Sequence, residues 1–178
     1  MRRIRFACVF IIPLLSSANA AEDGCEKFAW PLSRERSWFA ASEKLSVAAG
    51  ESLAAIPNAA FTVRLQPGTE ASFALPPERK PKSDGWFGGI VRLPALGQAG
   101  IYQITVSDEA WIDIVQEDRY ARSVGSTGRS DCPGLRKSVR LELGPAPFVV
   151  QLSAVAIPVI AVAIRLTGVS AYPPLCRS

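Results

Sequence analysis

The chain has 178 residues, with 20 lysines and arginines against 16 aspartates and glutamates, and no histidine. The missing imidazole excludes Ser-His-Asp and Cys-His catalysis and the two-histidine, one-carboxylate iron site. A zinc site would need three cysteines plus a carboxylate, and no Cys-x-x-Cys spacing occurs.

Residues 1–20 open with the basic stretch Met1-Arg2-Arg3-Ile4-Arg5. The apolar run Phe6 to Leu15 follows, and Ala18-Asn19-Ala20 closes the segment. A basic start, an apolar middle and an Ala-x-Ala end predict a secretory signal peptide. Its removal takes three arginines, leaving 17 bases against 16 acids, a net charge of +1 in place of +4. No concentrated basic domain is left for nucleic acid, and the expected location is periplasmic or secreted. The remaining residues suit one domain with a single core.

Export also sets the cysteine reading. Cys8 leaves with the signal, so Cys25, Cys132 and Cys176 remain. An oxidising compartment favours one disulfide and one thiol left over, and three pairings satisfy that. Cys25 with Cys132 is preferred, because Cys176 sits on a Pro-Pro tail two residues from the last. A bridge closing so long a loop stabilises by about 4 kcal/mol in the chain-entropy model.

Residues 21–44 form an N-terminal segment whose best helix candidate lies within 25–42. Pro31 suits a first turn, and Leu32, Glu35, Arg36 and Phe39 follow at helical spacing. Leu32, Trp38 and Phe39 are expected to cover one end of a core. From residue 45 to 168 the period changes to two. Alternation predicts strands over Ala59–Leu65, Glu70–Leu75, Trp86–Leu93, Ile101–Ser107, Ala110–Glu117, Val139–Leu143 and Phe148–Val155. Pro67-Gly68 marks a turn, and residues 76–85 read as a polar proline-rich loop. In the strand from Ala110, Ile112 and Ile114 face one way while Trp111, Asp113 and Val115 face the other. The apolar stretch 148–166 is nearly long enough to cross a membrane. Pro158 and the many valines and isoleucines fit two strands, 148–155 and 159–166, better. Short strands with turns every eight to twelve residues specify an all-β fold, an antiparallel, jelly-roll-like β-sandwich with a short N-terminal helix. Residues 169–178 are left as a tail.

Two clusters carry charge. Asp108, Glu109, Asp113, Glu117 and Asp118 gather around one strand. Two such carboxylates can serve a glycosidase and several can hold calcium, although acids on an exposed strand face are ordinarily just solvated. The second cluster is Arg119, Arg122, Arg129, Arg136, Lys137 and Arg140, around a Gly-Ser-rich loop from Ser123 to Gly134 that contains Cys132. Arg122, Arg129 and Arg136 are the candidate anion contacts, since a guanidinium takes a carboxylate or phosphate bidentately. Trp86 and Trp111 can stack on sugar rings if exposed.

The strand pair Gly100-Ile101-Tyr102-Gln103-Ile104-Thr105-Val106-Ser107 and Ala110-Trp111-Ile112-Asp113-Ile114-Val115 loosely resembles bacterial pre-peptidase C-terminal-type β-sandwich domains. Those are exported accessory modules that bind or help secretion. Cys25 to Leu32, Asp108 to Asp113 and Arg129-Ser130-Asp131-Cys132-Pro133-Gly134 resemble a group of small uncharacterised proteins exported by alphaproteobacteria. Some of that group carry a homogentisate dioxygenase label, an activity that needs histidine-held iron and so does not transfer to a chain without histidine. The expectation is an exported, non-enzymatic sandwich binding an envelope component, an anionic glycan or a protein partner. It needs no catalytic residue, metal or cofactor, and no membrane association. The alternatives are a carboxylate-dependent hydrolase of cell-wall sugars and an envelope protein anchored through 148–166.

Overall fold

A computed structural model describes residues 24–169 apart from residue 83. The expected signal peptide at 1–20 and Cys176 lie outside these residues. The chain begins with a 3-10 turn, Gly24–Lys27, and a two-turn helix α1, Ser33–Ala40. Eleven strands follow: β1 Leu45–Ala48, β2 Phe61–Arg64, β3 Gln66–Pro67, β4 Phe87–Leu93, β5 Gly100–Val106, β6 Trp111–Gln116, β7 Arg119–Tyr120, β8 Ser123–Gly128, β9 Lys137–Leu143, β10 Phe148–Val155 and β11 Val159–Gly168.

They form two sheets, one in the order β1-β2-β11-β5-β9-β8 and the other β3-β4-β10-β6-β7. The fold is an all-β sandwich, as the strand spacing implies. Inward residues at period two, among them Phe61, Ile104, Ile114, Leu141, Phe148 and Val162, make one core between the sheets. The stretch 148–166 is two strands, and Pro158 lies in the turn joining them, its carbonyl accepting the Leu65 amide at 2.7 Å. No helix among the described residues is long and apolar enough to cross a membrane.

Four features depart from expectation. The pair β1–β2 runs parallel, in register Leu45 with Phe61, whereas the other pairings between these strands are antiparallel. Residues 70–75 alternate but form no strand. The Glu70 and Ala71 amides go to the Pro67 carbonyl, and the Ala74 and Leu75 amides go to the side chain of Gln151. Four of the six amides of this segment are thus taken locally or by a side chain rather than by a neighbouring strand. Ser123–Gly128, expected as the start of a loop, is the strand β8 paired along β9. Finally, the buried face of α1 centres on Glu35, 1% exposed, rather than on Trp38, which is half-buried and stacked under Arg34 at 6.0 Å.

That glutamate explains how the N-terminal segment is seated. Glu35 Oε1 accepts from Gln103 Nε2 at 2.6 Å and from Arg165 Nε, both on the outer face of the six-stranded sheet. Arg140 Nε donates to Gln103 Oε1 at 3.0 Å while its guanidinium lies 4.2 Å over the Trp30 ring. The segment thus straps a polar sheet face through Glu35 Oε1, while the buried Glu35 Oε2 has no hydrogen-bond partner. Its end is fixed by the Cys25–Cys132 disulfide, whose Cα atoms are 4.6 Å apart, with Phe28, Leu32 and Leu135 packed around it.

Candidate functional site

The outer face of the five-stranded sheet carries the second cover, the segment from Gly68 to Trp86. Three proline positions, Pro76, Pro77 and Pro81, deny it ladder hydrogen bonds, so it must be held by side chains. Gln151 takes the Ala74 and Leu75 amides at 3.0 and 3.3 Å, and Asp113 Oδ2 takes the Glu78 amide at 3.3 Å. The Tyr120 hydroxyl donates to the Pro76 carbonyl. Phe73 stacks on Trp86 with centroids 6.1 Å apart. Gly88 is required beneath that pair, because a Cβ there would come within 2.8 Å of the Trp86 ring and of the Leu152 carbonyl.

Anchored in this way, the loop forms one wall of a cleft of about 320 Å³. Arg79, Lys80 and Lys82 stand along that wall, all exposed, and Trp86 and Trp111 and Ala154 give it apolar surface. Trp111 is fixed by its indole NH, which donates to Asp113 Oδ1 at 2.6 Å. The Arg79 guanidinium lies 4.4 Å from the Trp111 ring centroid and the Lys137 ammonium 4.8 Å from it. Lys137 also donates to the Ala110 carbonyl at 3.0 Å, and burial holds its pKa below the ordinary 10.5, a shift that the nearby Glu109 carboxylate opposes.

One lining residue of the cleft has an unusual backbone conformation. Ala154 sits at φ 56°, in the left-handed region, where β10 bulges between Leu152 and Val155. The preceding Ser153, in register with Trp111, is fully buried behind the cleft lining, and its hydroxyl has no hydrogen-bond partner.

The residues singled out from sequence fall in three places. Cys25 and Cys132 form their disulfide. Arg129 and Arg136 meet at the end of the β8–β9 hairpin, where the Arg129 amide bonds the Arg136 carbonyl at 2.9 Å, while Arg122 precedes the far end of β8. Each guanidinium already holds a carboxylate: Arg122 with Glu142 at 2.5 Å, Arg129 with Asp131 at 2.6 Å, and Arg136 with Glu109 at 2.5 Å. The acidic cluster is likewise engaged. Asp113, expected on a solvated face, is buried as the acceptor for Trp111, Gln151 and the Glu78 amide. Glu117 pairs with Arg119 in the β6–β7 turn, and Asp108 accepts from Ser107. Among the described residues no group of three or more His, Cys, Asp or Glu is placed to hold a metal ion. Arg79, Lys80 and Lys82 were missed because residues 76–85 read only as a polar loop. Three bases in four residues, close before a tryptophan, were the available signal.

The fold thus defines a disulfide-linked all-β sandwich with an aromatic, cation-lined cleft. Comparison of the chain with family models, with curated proteins and with solved structures finds no match.

Proposed function

We propose that the chain is exported by its N-terminal signal and acts as a non-enzymatic binding module, taking an anionic glycan of the envelope into the Trp86–Trp111 cleft. The observation that carries this reading is the convergence of two half-buried indoles with three exposed cations, Arg79, Lys80 and Lys82. A sugar ring offers an apolar face to an indole and a carboxylate or phosphate to a cation, so this pairing of surfaces suits acidic sugars. The engagement of Asp108, Glu109, Asp113 and Glu117 in structural pairs favours binding over carboxylate catalysis. The disulfide is compatible with a compartment outside the cytoplasm. The resemblance to small exported alphaproteobacterial proteins points the same way.

The test is titration calorimetry of the purified mature chain with polygalacturonate and, in parallel, with neutral dextran. Binding to the polyanion alone is expected, weakening as salt rises. Trp86→Ala and the pair Lys80→Glu with Lys82→Glu should each weaken it at least tenfold, about 1.4 kcal/mol. Equal binding of dextran, or unchanged binding by both variants, would overturn the reading. Export is checked separately by fractionation and by finding Ala21 as the N-terminal residue.

A further inference from the structure

A second hollow adjoins the first. It measures about 290 Å³ and is lined by Glu109, Ser126, Thr127, Gly128, Arg136 and Lys137. Glu109 lines both hollows. Lys137 bridges them as well, lining the second while its ammonium lies over the Trp111 ring of the first. Beyond Arg136 the surface continues to Arg129, joined to it by the backbone hydrogen bond across the hairpin. Two cation-bearing hollows therefore lie side by side, with Arg79, Lys80 and Lys82 in one and Arg136 and Lys137 in the other. Glu109 is the single carboxylate lining either.

Resting on the glycan reading above, we propose that the two hollows are successive subsites for a linear polyuronate, a polysaccharide bearing a carboxylate on each ring, and that Glu109 is an internal competitor for the second. A single acidic sugar would use only one set of cations. A chain with one carboxylate per ring presents an anion to each hollow in turn. Arg136 is held at 2.5 Å by Glu109, in a pair whose side chains are 33% and 60% exposed. An ion pair so open to water is only weakly stabilising, so an incoming carboxylate can exchange for Glu109 at little cost. While Glu109 stays ionised nearby it also repels that carboxylate. Removing its charge should therefore strengthen binding, the opposite of what deletion of a contact residue does.

The experiment measures the affinities of digalacturonate and hexagalacturonate for the wild-type chain, for Glu109→Gln, and for the double variant Glu109→Gln with Arg136→Gln, each checked for an unchanged melting temperature. The hexamer should bind the wild type at least tenfold tighter than the dimer. Glu109→Gln should tighten the hexamer a further three- to tenfold, and adding Arg136→Gln should cancel that gain while the dimer changes less than twofold between the two variants. Binding of the dimer with no gain for the hexamer, or a hexamer affinity indifferent to Arg136, overturns the two-subsite proposal and leaves the glycan reading standing. Failure of both oligomers and of polygalacturonate overturns both. Tighter binding of single-stranded oligothymidylate than of the hexamer overturns the assignment to a polysaccharide.

Discussion

Gln151 and Asp113 stand opposite one another on β10 and β6, both buried, and Gln151 Nε2 donates to Asp113 Oδ2 at 3.3 Å. Between them these side chains accept the amides of Ala74, Leu75 and Glu78 and the indole NH of Trp111. The loop carrying Arg79, Lys80 and Lys82 is thus fastened by two residues that do not line the cleft. Gln151→Leu keeps the volume but leaves the Ala74 and Leu75 amides without their acceptor, at a cost of about 2 kcal/mol. Urea unfolding should report that loss, and hydrogen exchange at Ala74 and Leu75 should quicken.

The β6–β7 turn is a second place where one residue type should outperform another. Glu117 and Asp118 have φ of 52° and 57°, a conformation that suits Asn and Gly in two-residue hairpins. Asp118→Gly is expected to stabilise by about 1 kcal/mol, since it removes left-handed strain at an exposed site. A rise in the thermal midpoint checks this, and a fall refutes it.

Lys137 sets a pH dependence. Burial lowers its folded-state pKa below 10.5, with Glu109 and Asp113 opposing the shift and Arg79 and Arg136 adding to it. The unfolded chain therefore holds this proton more tightly, so the charged lysine is a penalty at neutral pH. That penalty is relieved as pH rises through the folded pKa toward 10.5. Lys137→Met should be as stable as wild type or more so at pH 7. The stability difference between the two chains should narrow through the alkaline window below 10.5. Denaturation midpoints across that range supply the comparison, and a difference that stays flat or widens would count against the buried-cation account.

The disulfide links positions 107 apart and anchors a strap otherwise held by Glu35. Replacing Cys25 and Cys132 together by alanine is expected to cost about 4 kcal/mol. Reductant should lower the unfolding midpoint of the wild type to that of the variant and leave the variant unmoved.

Much of this architecture can be read from residue alternation. The strands β4, β5, β6 and β9 announce themselves by alternation, whereas β10 and β11 are legible from their valine and isoleucine content and from Pro158 between them. β8 is silent because Ser-Val-Gly-Ser-Thr-Gly has no apolar face to alternate; its pairing comes from the edge that β9 offers. Residues 70–75 give the opposite error, since they alternate but their amides bond the Pro67 carbonyl and Gln151. In the site, Trp86 and Trp111 could be named beforehand because a large aromatic is chemically conspicuous. The partners of Arg122 and Arg136 could not, because Glu142 and Glu109 reach them only through the packing of distant segments. Asp113 looked solvated for a related reason, since strand alternation points it outward and cannot show the loop that covers it.

The strand order also governs when the molecule can assemble. β11 lies between β2 and β5, and β10 lies between β4 and β6. An interior strand of each sheet is thus contributed by residues 148–168, and without it each sheet divides into two parts with unmatched edges. Such non-local pairing is slow to form. A nascent chain lacking those residues has no closed sandwich to fall into. Completion of either sheet therefore waits on the residues of β10 and β11.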